Sequence, residues 1–151
     1  MYLYVMRHGP SEGDSPTGRD FDRRLTAVGR LVVESVAKEL AGRGTVLARV
    51  ISSPLVRAVQ TAEIVRGVFG LGGNLEIREE LAPSEGSFSL AVELAASDQP
   101  ALVVSHAPDV SDLVAILTER RAPSFSAGMI AALEAHGRSA SLRFVVEPKG
   151  P

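Results

Sequence analysis

Short apolar runs separated by segments of helical periodicity constrain the fold of this chain most strongly. Residues 3–6, 46–51 and 101–104 have the length and composition of strands that are buried on both faces. Helices between such strands predict an α/β fold, a single-domain three-layer α/β/α sandwich around a mostly parallel sheet. Residues 129–133 and 141–146 form two further strands across a short turn, which makes this pair antiparallel. One strand therefore runs against the rest of the sheet.

The predicted helices have recognisable ends. Thr26 is the N-cap of a helix that extends to about Leu40. Ser53 as N-cap and Pro54 at the first helical position predict the start of a second helix, and a shorter helix is expected over residues 88–96. The buried face of the first helix is predicted to consist of Val28, Leu31, Val32, Val36 and Leu40.

Composition narrows the class of protein. The 151 residues carry a formal net charge of −2 and no long basic stretch, which argues against nucleic-acid binding. Because the chain has no cysteine, it forms neither disulfides nor thiolate metal sites. No apolar segment approaches the ~18 residues of a membrane span, and the amino terminus does not resemble a signal peptide. We therefore expect one domain over residues 1–151, monomeric, soluble and cytoplasmic, with no membrane partner.

Charged and imidazole side chains stand at the carboxyl ends of the predicted strands. Arg7 and His8 follow the first strand, Arg57 lies in the first turn of the helix after the second, and His106 ends the run at 101–104. The carboxyl ends of parallel strands lie at one edge of the sheet, where α/β proteins bind ligands. Two guanidinium groups and a helix amino end at this edge favour an anion. The sequence therefore predicts a phosphoryl-binding site.

Each of these residues has a simpler interpretation when taken alone. Arg57 fits an ion pair on a helix surface, and His106 fits a core histidine held by hydrogen bonds. A phosphoprotein-binding module that has lost turnover would lack one of the four residues, and all are present. A metal site on His8 and His106 has no evident third ligand, although catalytic zinc uses three. We therefore expect neither a metal nor a cofactor, and we expect His136 to be a surface residue.

The motifs around these residues resemble those of the histidine phosphatase superfamily, also called the phosphoglycerate mutase-like family. The resemblance runs from Tyr2 to about Val114 and includes the Arg-His-Gly signature at residues 7–9. The short chain and the His-x-Pro sequence at residues 106–108 are most similar to the SixA-type phosphohistidine phosphatases. The matching segments, in the family's order, are residues 5–9, 25–29, 52–62 and 104–106.

This resemblance implies a phosphoglycerate mutase-like fold and a metal-independent phosphatase. His8 would be the nucleophile, forming a phosphohistidine intermediate that water then hydrolyses. Arg7, Arg57 and His106 would hold the phosphoryl oxygens, with His106 protonated beside the dianion. Ser11 is a further candidate phosphate ligand.

The sequence departs from the family pattern at the general acid. Many members carry a glutamate two residues after the leucine that corresponds to Leu81, and Pro83 occupies that position here. General acids contribute ~100- to 10,000-fold to the rate, so their loss matters most for poor leaving groups. The candidate acids are Glu85, with Asp14 as the alternative and Glu12 and Asp20 as rivals in the polar loop of residues 10–24.

The missing glutamate and the short chain predict the substrate class. Imidazole leaves more easily than an alkoxide, which favours phosphohistidine or aryl phosphates. Between Val68 and Pro100 the chain has no room for a helical lid, so we expect an open site suited to a phosphate on a protein surface and to hydrolysis. The leading hypothesis is a phosphatase acting on phosphohistidine in a protein. The alternative is a broad phosphomonoesterase acting on small phosphorylated molecules.

Overall fold

Six strands form one sheet in the computed structural model of the chain, which describes residues 1–83 and 85–149. The predicted domain end at residue 151 lies outside the described residues, as does Ser84. None of the described helices is both long and apolar enough to cross a membrane. The strands are β1 (Tyr2–Arg7), β2 (Arg49–Ser52), β3 (Glu76–Ile77), β4 (Ala101–Ser105), β5 (Ile130–His136) and β6 (Ser139–Val146).

The strand order is β3-β2-β4-β1-β5-β6. The first four strands in this order are parallel, whereas β5 is antiparallel to β1 and to β6. The predicted α/β class and the mostly parallel sheet are confirmed. Helices connect the parallel strands, since a parallel crossover must return the chain to the same end of the sheet. The helices that make these crossovers are α1 (Ala27–Gly42), α2 (Val56–Phe69) and α3 (Phe88–Ala96), whereas α4 (Asp109–Thr118) links β4 to the antiparallel strand β5.

The sheet separates two apolar clusters, one for each helical layer. Successive residues of a strand point to opposite faces, and β1 follows this rule. Leu3 and Val5 pack with α3 and α4, whereas Tyr4 and Met6 pack with α1 and α2. Two short 3-10 turns, at Asp20–Asp22 and Glu79–Leu81, lie in the loops before α1 and α3.

The predicted N-cap of α1 is confirmed, whereas its predicted buried face is confirmed only at Val36 and Leu40. The Thr26 side chain accepts a hydrogen bond from the Gly29 amide at 2.8 Å. Val28 and Leu31 are each 67% exposed, because Gly29 rather than an apolar side chain lies against the preceding loop. An ideal Cβ on Gly29 would be 2.1 Å from the Pro10 carbonyl oxygen. This close approach places Gly29 on the buried side of the helix, so that Val28 and Leu31 face outward. The buried face is Gly29, Val33, Val36, Ala37 and Leu40.

The predicted start of α2 and the extent of β2 are also corrected. The helix begins at Val56 after Leu55, and neither Ser53 nor Pro54 occupies its cap. The Ser53 hydroxyl accepts from the Leu55 amide at 3.2 Å, but it also bonds to a histidine at the carboxyl edge of the sheet. β2 begins at Arg49, because Val46 is exposed.

Replacing Gly29 with alanine is expected to lower the free energy of unfolding by about 1–3 kcal/mol, as overpacking does elsewhere. The added methyl would displace the Pro10 carbonyl, which also accepts a hydrogen bond from the Thr26 amide at 3.1 Å. Urea denaturation measures the change. Gly67→Ala in α2 is the control, because no heavy atom lies within 4 Å of its Cβ position. It should stabilise the helix by about 0.5–1 kcal/mol. Equal stability of the Gly29 variant and the wild type would contradict the close approach.

Candidate active site

The sheet brings the four predicted residues to one edge. β1 and β4 are parallel, and Arg7 is in register with Ser105. The next residues, His8 and His106, are therefore neighbours, and their ring centroids are 5.2 Å apart. β2 flanks β4 on its other side, so the amino end of α2 reaches the same edge with Arg57.

His8 is held as a neutral imidazole with its lone pair on Nε2. Its Nδ1 lies 2.7 Å from the Gly9 carbonyl oxygen. A carbonyl only accepts, so Nδ1 carries the proton and Nε2 carries the lone pair. Arg57 Nε donates to this Nε2 at 3.3 Å. Burial, with smaller contributions from the charges of Arg57 and Arg7, lowers the pKa of His8 to about 4, although the hydrogen bond to Gly9 acts in the opposite direction. The imidazole is therefore uncharged and nucleophilic at neutral pH.

His106 is also neutral in the free protein. Its Nε2 lies 2.7 Å from the Ser53 hydroxyl, and its buried Nδ1 has no partner among the described residues. Burial lowers the pKa of His106 to about 3, with a smaller contribution from His8 and Arg57. The protonated form expected from the resemblance therefore requires the negative charge of a bound dianion, which favours the charged imidazole.

The two arginines are fixed by different partners. Arg7 Nη1 donates to the Phe125 carbonyl oxygen at 2.8 Å, and its buried Nε has no partner among the described residues. Arg57 is 6% exposed, and both of its terminal nitrogens donate hydrogen bonds to Asp20. Nη1 donates to the backbone carbonyl oxygen at 2.9 Å, and Nη2 donates to Oδ2 at 3.1 Å. Arg7 Nε and His106 Nδ1 are thus buried polar atoms that have no hydrogen-bond partner among the described residues of the free protein.

Helix α2 also holds the loop that follows the nucleophile. The Gly9 amide donates to the Thr61 hydroxyl at 3.1 Å, and that hydroxyl donates to the Arg57 carbonyl oxygen at 2.8 Å. Gln60 accepts from the Leu25 amide at 2.8 Å, which fixes the end of the polar loop. Gln60 and Thr61 lie within the matched segment of residues 52–62. Their hydrogen bonds show that this part of the motif fixes the loop beside the nucleophile.

The two histidines and the two arginines line one open pocket of about 450 Å³. Ser11, the further candidate phosphate ligand, belongs to its lining, and so does Pro83 at the position of the family's glutamate. The wall at Pro83 therefore offers no carboxylate. All five predicted phosphate-binding residues are brought together here, namely Arg7, His8, Ser11, Arg57 and His106.

The candidate acids are not brought together. Glu85 and Asp14 are exposed, and neither belongs to the described lining; Asp14 instead accepts from the Ser15 amide at 2.8 Å. Glu12 pairs with Arg24 at 3.7 Å outside the pocket. Asp20 does line the pocket, and a hydrogen bond from an arginine in the same loop is the main reason that its pKa is lowered. Asp20 is the one carboxylate among the described lining residues.

Arg23 is the arginine that holds Asp20, and sequence reasoning missed its position in the pocket. Its Nη1 donates to Asp20 Oδ1 at 2.7 Å, its Nη2 to the Ser11 hydroxyl at 2.9 Å and its Nε to the Glu12 carbonyl oxygen at 2.8 Å. Nothing in the sequence distinguishes Arg23 from the other charges of residues 10–24, because its role depends on how this loop folds back. No cluster of three metal-ligating side chains occurs in the described part of the chain.

Comparison with known proteins identifies the class that this fold and sheet edge define. The model of the histidine phosphatase superfamily (branch 1) matches residues 3–86, more than half of the chain. The chain therefore belongs to the histidine phosphatase superfamily and is a phosphatase, a hydrolase acting on phosphorylated substrates.

Within this superfamily the chain is SixA-like. It is 34% identical to the phosphohistidine phosphatase SixA of Escherichia coli over 127 residues, which are 82% of this chain and 78% of that protein. The structure of the protein histidine phosphatase SixA complexed with tungstate superposes with a TM-score of 0.89 at 30% identity, covering 98% and 97% of the two chains. The mycobacterial glucosyl-3-phosphoglycerate phosphatase shares the fold at 17% identity, with a TM-score of 0.75 over 98% and 99% of the two chains.

Proposed function

We propose that the protein hydrolyses phosphohistidine in a protein substrate, through a phosphoenzyme formed on His8. The observation that carries the proposal is a buried nucleophile at the base of a pocket whose wall has Pro83 in place of an acid. The similarity to the phosphohistidine phosphatase SixA supports the same substrate class. The predicted cytoplasmic location and monomeric state remain predictions.

The first step uses the tautomer that the Gly9 carbonyl selects. His8 Nε2 attacks phosphorus, while Nδ1 keeps its proton on that carbonyl. Arg57 Nε, 3.3 Å from Nε2 in the free protein, moves its hydrogen bond to a phosphoryl oxygen. Arg7 Nε and His106 Nδ1 supply the other donors. Such fixed donors stabilise the charge of the transition state without reorganisation of solvent.

The leaving group decides which substrates this pocket serves. An alkoxide needs a proton as it leaves, and Pro83 offers none. A phosphohistidine protonated on its other ring nitrogen leaves as neutral imidazole and needs no acid. Tungstate, which the similar SixA structure contains, is a tetrahedral oxyanion, in agreement with a pocket that holds one phosphoryl group.

The shape of the pocket favours a macromolecular substrate. Between α2 and β4 the chain forms β3, a 3-10 turn and the nine-residue helix α3, and the described lining of the pocket includes no residue of these elements. A phosphorylated side chain that projects from a folded protein can therefore reach His8. A small-molecule phosphomonoesterase is the alternative, because the mycobacterial glucosyl-3-phosphoglycerate phosphatase has the same fold.

A kinetic comparison of three substrates tests the proposal. We expect kcat/KM for a phosphohistidine peptide to exceed that for a sugar phosphate by at least ~100-fold, the smallest usual contribution of a general acid. An aryl phosphate should be hydrolysed at a rate closer to that of the peptide. The three assays use one enzyme preparation and the same pH. A preference for the sugar phosphate would reject the phosphohistidine assignment and favour the alternative.

A further inference from the structure

Asp20 occupies a position that the first chemical step does not use. It is the one carboxylate among the described residues lining the pocket, and it lies at the mouth, with a side chain 62% exposed. His8 lies at the base and is 7% exposed. The Arg57 guanidinium lies between His8 and Asp20: its Nε is 3.3 Å from His8 Nε2, and its Nη2 is 3.1 Å from Asp20 Oδ2. The carboxylate is thus one guanidinium width from the nucleophile.

The Asp20 carboxylate is fixed in spite of its exposure. Arg57 binds its Oδ2 and its backbone carbonyl oxygen, and Arg23 binds its Oδ1 at 2.7 Å. Arg23 is held in turn by the Ser11 hydroxyl and the Glu12 carbonyl oxygen. The buried guanidinium of Arg57 and the half-buried guanidinium of Arg23 therefore fix the orientation of both carboxylate oxygens. The carboxylate of an ordinary surface aspartate rotates freely and has no such fixed orientation.

The geometry of in-line displacement determines where the water that hydrolyses the phosphoenzyme must be, and this position is the mouth of the pocket. Once His8 Nε2 carries the phosphoryl group, the attacking water must approach phosphorus from the side opposite this nitrogen. Because His8 lies at the base of the pocket, the opposite side is the mouth. A fixed carboxylate there can accept a hydrogen bond from the water and take its proton.

We propose that Asp20 is the general base for hydrolysis of phosphorylated His8. This inference rests on the phosphoenzyme of the proposed function. The water oxygen bonds to phosphorus as the bond from phosphorus to His8 Nε2 breaks, and the electron pair returns to Nε2. The water proton passes to the Asp20 carboxylate and from there to solvent, while phosphate leaves as the hydrogenphosphate dianion.

The same arrangement makes Asp20 unsuited to act as an acid in the first step. The hydrogen bond from Arg23 holds the pKa of this carboxyl below its ordinary value, so the group is ionised at neutral pH. An ionised carboxylate accepts a proton from water but has none to give to a leaving group. Phosphorylation of His8 would require a proton donor, whereas hydrolysis of the phosphoenzyme requires a proton acceptor. Asp20 can serve only as the acceptor.

Rapid-quench kinetics of the Asp20→Asn variant with p-nitrophenyl phosphate tests this division of roles. Asparagine keeps one side-chain oxygen that accepts from Arg23 or Arg57, and the backbone carbonyl of residue 20 still accepts from Arg57, but the amide cannot take a proton. We expect a burst of nitrophenol, stoichiometric with enzyme and as fast as the wild-type first step. Steady-state turnover should then fall by about 100-fold or more, the usual contribution of a general base. Acid-labile phosphoprotein should accumulate. With Asp20→Ala, formate should accelerate the decay of this phosphoprotein.

Asp22→Asn is the matched control. Asp22 lies in the same 3-10 turn, but its carboxylate bonds to Thr17 and Arg19 outside the pocket. This variant should keep both phases and show no response to formate. Unchanged turnover of Asp20→Asn would overturn the proposal, as would a burst that slows in parallel with turnover, because Asp20 would then act only by holding Arg57. Absence of phosphoprotein from the wild type would overturn the proposed function itself.

Discussion

Replacing His8 with alanine is expected to reduce kcat by about 10⁴-fold or more, because no phosphoenzyme can form and water must attack the substrate directly. The Nε2 lone pair of His8 faces the phosphate pocket, and the Gly9 carbonyl and burial keep the ring neutral. His106 is the other imidazole among the described residues lining the pocket, and its Nε2 lies 2.7 Å from the Ser53 hydroxyl. Turnover of p-nitrophenyl phosphate and acid quenching for phosphoprotein measure both consequences.

His136→Ala provides the matched control for this experiment. His136 ends β5 on the surface, and its Nε2 lies 3.9 Å from a Glu134 oxygen, away from the pocket. Loss of this third histidine should leave kcat unchanged, so a defect confined to His8→Ala reports the nucleophile rather than histidine content. Substantial turnover or phosphoprotein in the His8 variant would remove His8 from this role. Thermal unfolding of both variants confirms that each is folded.

The convergence of these residues could be predicted because it depends on the sheet alone. A parallel sheet places the carboxyl ends of its strands at one edge. The register of Arg7 with Ser105 then makes His8 and His106 neighbours without any further tertiary information. The strands at residues 3–6 and 101–104 and the N-cap at Thr26 depend on local sequence, and the structure confirms them. Arg57 could be predicted in the same way, because it lies in the first turn of the helix that follows the second strand.

What could not be predicted depends on contacts between distant segments. The buried face of α1 is set by the approach of Gly29 to Pro10, which helical periodicity does not record. Ser53 looked like a helix cap because its preferred partner, His106, is 53 residues away along the chain. Asp20 is equally hidden, since it becomes part of the pocket only when the loop of residues 10–24 folds across α2.

Replacing Arg57 with alanine is expected to reduce kcat/KM by about 10²- to 10³-fold, the usual cost of losing a fixed donor to a transition-state oxyanion. The guanidinium contacts the nucleophile through Nε and Asp20 through both Nη nitrogens, so one planar group orders the base and the mouth of the pocket. Lysine retains the charge but not the fork, and Arg57→Lys should recover little of the loss.

Arg66→Lys separates this effect from a general requirement for arginine on α2. Arg66 lies on the same helix but pairs with Glu63 at 3.1 Å and does not belong to the pocket lining. The substitution should leave kcat/KM unchanged. Full recovery of activity in Arg57→Lys would contradict the argument, because it would show that a point charge suffices. If instead both Arg57 variants lose activity while Arg66→Lys does not, the geometry of the guanidinium is what the reaction requires. Helix α2 then contributes to catalysis by holding the Arg57 guanidinium in contact with both His8 and Asp20.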